Sequence, residues 1–313
     1  LGIDFTYFDR EDSNLPVSIT AAGGTGYTGL SVNSKITSTA GVEAMISGTP
    51  VLTDDLRWDV SFNFGRFKKT VDFIYEGIER NILDSWLSWS SMDLQEIVGQ
   101  EWGMLYGRKR LKDDAGNWVL YNSGNHRYTN NTLLGNIMPD FTGGITSTLV
   151  YKNWDFAVGI DFQEGGLYHS VTDMFSMAAG LHEYTAGLND KGNPKRDAVS
   201  AGGGIHQVGV LLDGTPHDLY RAPDSWAWGN WTRDDLWLVD ASFVKLRQVR
   251  IGYTFDNDQL NDTPFDAINV ALIGTNLAIL SEMTDWGDYR GKRTPGLDPS
   301  EMGSNWSGSY YAS

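Results

Sequence analysis

The sequence predicts an all-β fold: an antiparallel transmembrane β-barrel wall, partial, of about seven strands, with long loops on one side. Three observations lead there. Several segments alternate apolar and polar residues with a period of two. The connections between them are short and long in strict alternation. Aromatic residues collect at both ends of the alternating segments. Strand side chains alternate between faces, so each such segment has one greasy face and one wet face.

The elements run as follows. The chain opens inside an alternating stretch, Leu1-Gly2-Ile3-Asp4-Phe5-Thr6-Tyr7-Phe8, which makes 1–9 the first strand and the chain an expected piece of a longer polypeptide. The second strand is expected over 34–48. In Leu56 to Phe64, Leu56, Trp58, Val60, Phe62 and Phe64 share one face, with Arg57, Asp59, Ser61 and Asn63 opposite. Phe141 to Tyr151 repeats the pattern more weakly. Trp154 to Phe162 repeats it strongly, with Asp155, Ala157, Gly159 and Asp161 on the wet face. In 241–255, Val249, Ile251 and Tyr253 share a face, but the same parity puts Lys245 and Arg247 on it too. A bulge, or an exit from the apolar zone near 247, resolves the conflict. The last strand, 267–278, is partly apolar on both faces, so its orientation is open.

Connections supply the second argument. Lys152-Asn153 is a two-residue hairpin link, and 49–55 and 256–266 are short. The alternate connections, about 10–33, 67–139, 163–239 and 279–313, far exceed the roughly 12–15 residues of ordinary loops. Up-and-down strands with short turns at one end and long loops at the other suit an outer-membrane barrel, the only sheet whose backbone can be satisfied in lipid. Trp58, Tyr151 and Trp154 fall at the short-turn ends, and Phe64, Phe141 and Phe162 at the long-loop ends, as two interfacial girdles require. A soluble β-sandwich would alternate as well, but its long loops would be unexplained.

Composition narrows the function. The 313 residues carry 24 Lys+Arg against 40 Asp+Glu, a net charge of −16, and no Cys. An acidic chain does not suit nucleic acid, and thiolate metal sites and disulfides are impossible. The five histidines show no HExxH arrangement and fall in the long loops or at their edges. Asp234-Asp235 is an adjacent acidic pair of a kind that recurs by chance among 40 acids, so no enzymatic role is assigned. Asp113-Asp114-Ala115-Gly116-Asn117 lacks the alternating ligands of a calcium loop, and no metal or cofactor is expected.

Candidate contact residues lie in the loops. Trp226, Trp228, Trp231 and Trp237 form one group, and Trp86 and Trp89 a second. Indole faces stack on sugar rings or apolar side chains while the N–H donates a hydrogen bond; alternatively, large loops need small cores of their own. The stretch 85–98 has a weak helical spacing. Gly107-Arg108-Lys109-Arg110 is a basic run that is either a solvated loop face or a contact for lipopolysaccharide phosphates or an acidic partner. Arg57, Asp59, Asn63, Asp155, Asp161 and Gln163 are expected to face a wet lumen.

Two stretches carry a family resemblance: Gly135-Asn136-Ile137-Met138-Pro139-Asp140-Phe141-Thr142-Gly143-Gly144, and Tyr151-Lys152-Asn153-Trp154-Asp155-Phe156 followed by Gly165-Gly166. They resemble the GNxxPxFxGG…YKNxDF…GG stretch of the SusC/RagA-type TonB-dependent outer-membrane transporters of Bacteroidota. Thr39 to Glu43, Trp58 to Phe64, Ala241 to Thr254, Thr275-Asn276-Leu277 and Gly296-Leu297-Asp298-Pro299 are similar to later or neighbouring family elements, in family order. The resemblance implies that 1–313 is the C-terminal part of a 22-stranded barrel, with plug and TonB box outside this chain. It also implies outer-membrane import of glycans or oligopeptides with a SusD-like surface lipoprotein and TonB, in contact with lipid and lipopolysaccharide. A SusC-like scaffold in a larger outer-membrane assembly and a soluble carbohydrate-binding β-sandwich are the alternatives.

Overall fold

The computed structural model describes residues 1–20, 24, 26, 29–85, 90–261 and 263–282. The first three strands are β1 (Gly2–Thr20), β2 (Gly29–Leu52) and β3 (Leu56–Phe73). The first long loop follows, with β4 (Arg80–Ser85), β5 (Asp93–Ile97), β6 (Met104–Arg110) and β7 (Tyr128–Asn136). The chain returns through β8 (Pro139–Tyr151) and β9 (Trp154–Gly165). The second long loop holds β10 (Leu167–His169), helix α1 (Val171–Ala178), β11 (Ile205–Val210), β12 (Pro216–Arg221), helix α2 (Pro223–Gly229) and β13 (Leu238–Asp240). The chain then re-enters the wall as β14 (Phe243–Phe255) and β15 (Ile268–Glu282).

Seven strands form one open sheet in the order β1-β2-β3-β8-β9-β14-β15, and every pair is antiparallel. The seven expected strands are all present. Their register lines up the greasy faces in rows, of which Trp58–Leu149–Phe156–Ile251–Leu272 and Val60–Ser147–Val158–Val249–Gly274 are two. Polar rows alternate with them, such as Asn63–Gly144–Asp161–Lys245 and Ser61–Thr146–Gly159–Gln248–Thr275. No second sheet covers the greasy rows among the described residues: Ile145, Val158 and Ile251 are 40%, 37% and 41% exposed, and the buried clusters lie elsewhere. A sandwich would bury that face; a barrel wall presents it to lipid.

Several boundaries differ from the sequence expectation. The stretch 10–33 is mostly the continuation of the β1–β2 hairpin rather than a loop. Beyond Phe8 the apolar alternation stops, because a strand above the hydrocarbon no longer needs it, yet backbone pairing persists. The conflict in β14 is resolved by a bulge: both of its neighbours shift register between Leu246 and Gln248. The extra residue, Arg247, leaves Lys245 in the polar row and Leu246 in the apolar one. In β15, Val270 and Leu272 align with Tyr253 and Ile251, which settles the open orientation. The weak helical spacing over 85–98 does not make a helix at its described end: Asp93–Ile97 is strand β5, paired with β4 and β6. Gly296 to Pro299 and the rest of 283–313 lie outside the described residues.

The turns are tied to one another at the short-link end. Lys152 takes the left-handed conformation (φ 52°) that a two-residue link requires. Its amide donates to Asp55 O at 2.8 Å. On the other side, Asn153 Nδ2 donates to Thr254 O (2.9 Å) and to Asp256 Oδ2 (2.8 Å). The Lys-Asn pair therefore joins three consecutive turns.

Candidate functional site: the polar face and the loop body

The polar face of the wall carries its charges in local pairs. Arg250 Nε donates to Asp155 Oδ2 (2.5 Å) and its Nη2 to Asn269 Oδ1 (2.9 Å). Arg247 repeats the arrangement one level up, with Nε on Asp161 Oδ2 (2.6 Å) and Nη1 on Asn276 Oδ1 (3.0 Å). The bulge makes this second triad possible, since an unshifted strand would point Arg247 at lipid. Gly252 makes room for the first: a Cβ there would strike the Asp155 carboxylate. Asp59 accepts from Thr49 Oγ1 (2.6 Å) and Arg57 Nε (2.7 Å). Gln163 Nε2 donates to Ala241 O (3.2 Å) at the loop end. Arg57, Asp59, Asn63, Asp155 and Asp161 thus share one face of the sheet.

Above the wall, the two long loops build cores of their own. In the second, Trp226 and Trp237 are fully buried with Met174, Met177, Ile205 and Leu236, and Trp237 Nε1 donates to Trp231 O at 2.9 Å. As a surface for substrate, these two indoles are corrected: they are the packing core of the loop. Residues 226 and 228 lie on different sides of α2, so Trp228 is left 58% exposed. It stacks on Trp231 with centroids 4.5 Å apart at 15°. Phe175 of α1 meets Trp231 edge-on at 4.9 Å, an aromatic partner the sequence reading missed because it lies over fifty positions upstream. Trp86 and Trp89 lie outside the described residues.

The two loops interlock through the segment 230–235. Asn230 Oδ1 accepts from His126 N (2.8 Å), and Arg233 Nε donates to His126 O (2.8 Å). Asp234 accepts from Ser91 N (3.0 Å) and Arg108 N (2.7 Å). Asp235 accepts from Arg110 N and Arg110 Nε, both at 3.0 Å. Val119 and Val210 form a parallel bridge between the loops. Glycines permit the close approach: a Cβ at Gly107 would meet Asp234, one at Gly209 Trp118 O, one at Gly229 Asn125, and one at Gly135 Leu167.

This seam accounts for the acidic pair and corrects the reading of the basic run. The acidic pair Asp234-Asp235 is committed to hydrogen bonds within the chain. The basic run is neither a solvated face nor a free anion contact. Arg110 is buried against Asp235 and lies over Trp118, with its guanidinium 4.3 Å from the ring centroid. Arg108 lies over Tyr128 at 5.0 Å; of the run, Lys109 alone is exposed. Desolvation pushes the Asp234 carboxyl up to about 6, against the hydrogen bonds from Arg108 and Ser91 that favour its charge. Burial, with Arg110 and Arg233 nearby, pushes His126 down to about 3. Asp113 closes its own turn on Ala115 and Asn117, and no group of three or more metal-ligating side chains occurs among the described residues.

The first loop is also fastened to the wall. Lys35 Nζ donates to the fully buried Glu96 at 2.8 Å, and Trp102 Nε1 and Asn81 Nδ2 complete that carboxylate's partners. Val71 and Ile74 pack there with Val98 and Trp102. Asn136 Nδ2 donates to Trp102 O (3.1 Å), and Gly165 and Gly166, at φ 76° and 84°, fit closely against Asp140 and Ile137 O. The separated motif pieces around 135–144 and 165–166 therefore meet where both loops join the wall.

No family model matches the chain. The TonB-dependent receptor P3 of Formosa agariphila is 22% identical over 281 residues, covering 83% of this chain and 25% of its own length. The solved RagAB peptide transporter matches with a TM-score of 0.62 at 15% identity, over 95% of this chain and 30% of that one. The RagAB peptide importer in its closed-closed state gives 0.61 at 14% identity, over 92% of this chain and 31% of that one. In its open-open state it gives 0.62 at 13%, over 95% and 30%. The chain therefore spans about a quarter of the curated relative and under a third of the solved ones. In sequence pattern and in fold it is similar to a portion of the barrel of SusC/RagA-type TonB-dependent transporters.

Proposed function

We propose that this chain is wall and extracellular loops of an outer-membrane importer. TonB coupling acts through a plug on other parts of the polypeptide, and a SusD-like lipoprotein sits over the loops. The two-faced register carries this reading: uncovered greasy rows on one side and paired polar rows on the other suit lipid outside and a hydrated solute path inside. The likeness to a TonB-dependent receptor and to a peptide importer supports it. Cargo is an oligopeptide or a glycan, and fold alone does not choose between them. Trp228 and Trp231, with Phe175, are the loop surface proposed to touch cargo or partner. Arg57, Asp59, Asn63, Asp155 and Asp161 line the path and have no catalytic part.

Deletion of the gene, followed by growth on single defined glycans or oligopeptides, tests the proposal. Loss of growth on one class, restored by the gene, is the expected result. Unimpaired growth, together with loss of a stable multi-subunit membrane complex, would move the assignment to a scaffold. Extraction of the protein without detergent would overturn the membrane reading altogether.

A further inference from the structure

Loops 74–138 and 166–242 leave the wall on different strand pairs, yet they are joined by buried main-chain hydrogen bonds and a shared apolar cluster. The segment 230–235 donates to or accepts from main-chain groups at Ser91, Arg108, Arg110 and His126. Asp234 is the centre of this set. Its carboxylate is fully buried and spends one oxygen on the backbone N–H of Ser91, just before β5, and the other on that of Arg108 in β6. A second core, Met92, Leu94 and Leu105 of the first loop with Leu167 and Leu238 of the second, runs beneath it. Four glycine approaches at the seam leave no slack for sliding. Elements sharing buried contacts and main-chain hydrogen bonds of this density open together or not at all.

We propose that the two long loops are a single body, latched by Asp234, that stays closed throughout the working cycle. Asp234 is a positioning residue: it holds Ser91 and Arg108 against the second loop and touches no cargo. Any movement at the mouth of the barrel must then carry both loops as one unit, or fall to other parts of the assembly.

Two measurements on the full-length protein test this: hydrogen exchange in lipid nanodiscs, and cross-linking with uptake in whole cells. In Asp234→Ala, both amides lose their acceptor, so hydrogen exchange in 90–94, 107–111 and 118–127 should accelerate together with 230–237, by at least about tenfold. The wall strands β8 and β9 should keep their protection. Acceleration confined to 230–237 overturns the proposal. The second measurement leaves Asp234 intact. These 313 residues hold no cysteine, so Val119→Cys with Val210→Cys places this chain's one pair of thiols across the seam. Mild oxidation should join them and leave uptake unchanged. Thiols that fail to join, or uptake blocked by oxidation and restored by reductant, overturn it. The uptake arm rests on the importer reading; the exchange arm does not, so the two can fail separately.

Discussion

The indole N–H of Trp58 donates to the hydroxyl of Ser147 at 2.9 Å, across the β3–β8 pair and on the greasy face of the wall. Ser147 stands in the row with Val60 and Val158, where an unpaired hydroxyl would be costly. The diagonal neighbour satisfies it and satisfies its own N–H in return. Trp58→Phe and Ser147→Ala should each destabilise the folded barrel, and the double variant should cost less than the sum. A coupling of roughly 0.5–1.5 kcal/mol is expected, read from denaturant unfolding in lipid. Full additivity would mean that the bond contributes nothing.

Facing is tested by a pair of adjacent substitutions. Val158 lies on the greasy face, so Val158→Arg should impair insertion by about 2–4 kcal/mol. Gly159 lies on the polar face, and a Cβ there meets only Gln248 at ordinary contact distance, so Gly159→Ser should assemble as the parent does. Heat-modifiable mobility of the folded barrel on gels distinguishes them. Equal behaviour of the two would refute the face assignment.

Asn153 should act on the turn belt rather than on transport. Asn153→Ala removes both bonds to the next turn and should lower stability by about 1–2 kcal/mol. Asn153→Asp keeps the shape but sets a carboxylate against Asp256, and should be no better. Unfolding midpoints measured in detergent give the comparison; an unchanged midpoint in Asn153→Ala would remove the belt.

The contribution of Asp234 to the loop body should depend on pH with a definite sign. The carboxyl of Asp234 is raised from 3.8 to about 6 by burial, so the folded seam holds its proton more tightly than the unfolded chain does. The stabilisation this gives is complete below about pH 3.8 and is lost as pH rises through about 6. His126, held near 3 against an ordinary 6.5, is neutral in the folded seam but protonated in the unfolded chain over most of that window. Its own contribution therefore rises with pH and opposes that of Asp234; comparison with Asp234→Asn cancels it. Thermal stability of the loop body should therefore fall between pH 4 and 7 relative to Asp234→Asn. Parallel curves for the two proteins would refute the assignment.

The sequence by itself determined the wall. Its seven strands, the faces of all but the last, the tight Lys152-Asn153 link and the irregularity near 247 are written in the sequence, because hydrocarbon on one side and water on the other select residues locally. Where that selection ends, legibility ends: the polar continuation of the β1–β2 hairpin past Phe8 and the strand at Asp93–Ile97 carry no such pattern. Only the tertiary structure decided the roles of the loop residues. Trp226 and Trp228 sit two positions apart, yet one is core and the other surface, because two positions turn a helix by about 200° and packing picks the side. Asp234 meets Arg108, and Arg110 meets Asp235, across more than a hundred positions, a pairing set by how two loops fold against each other and by no spacing within either.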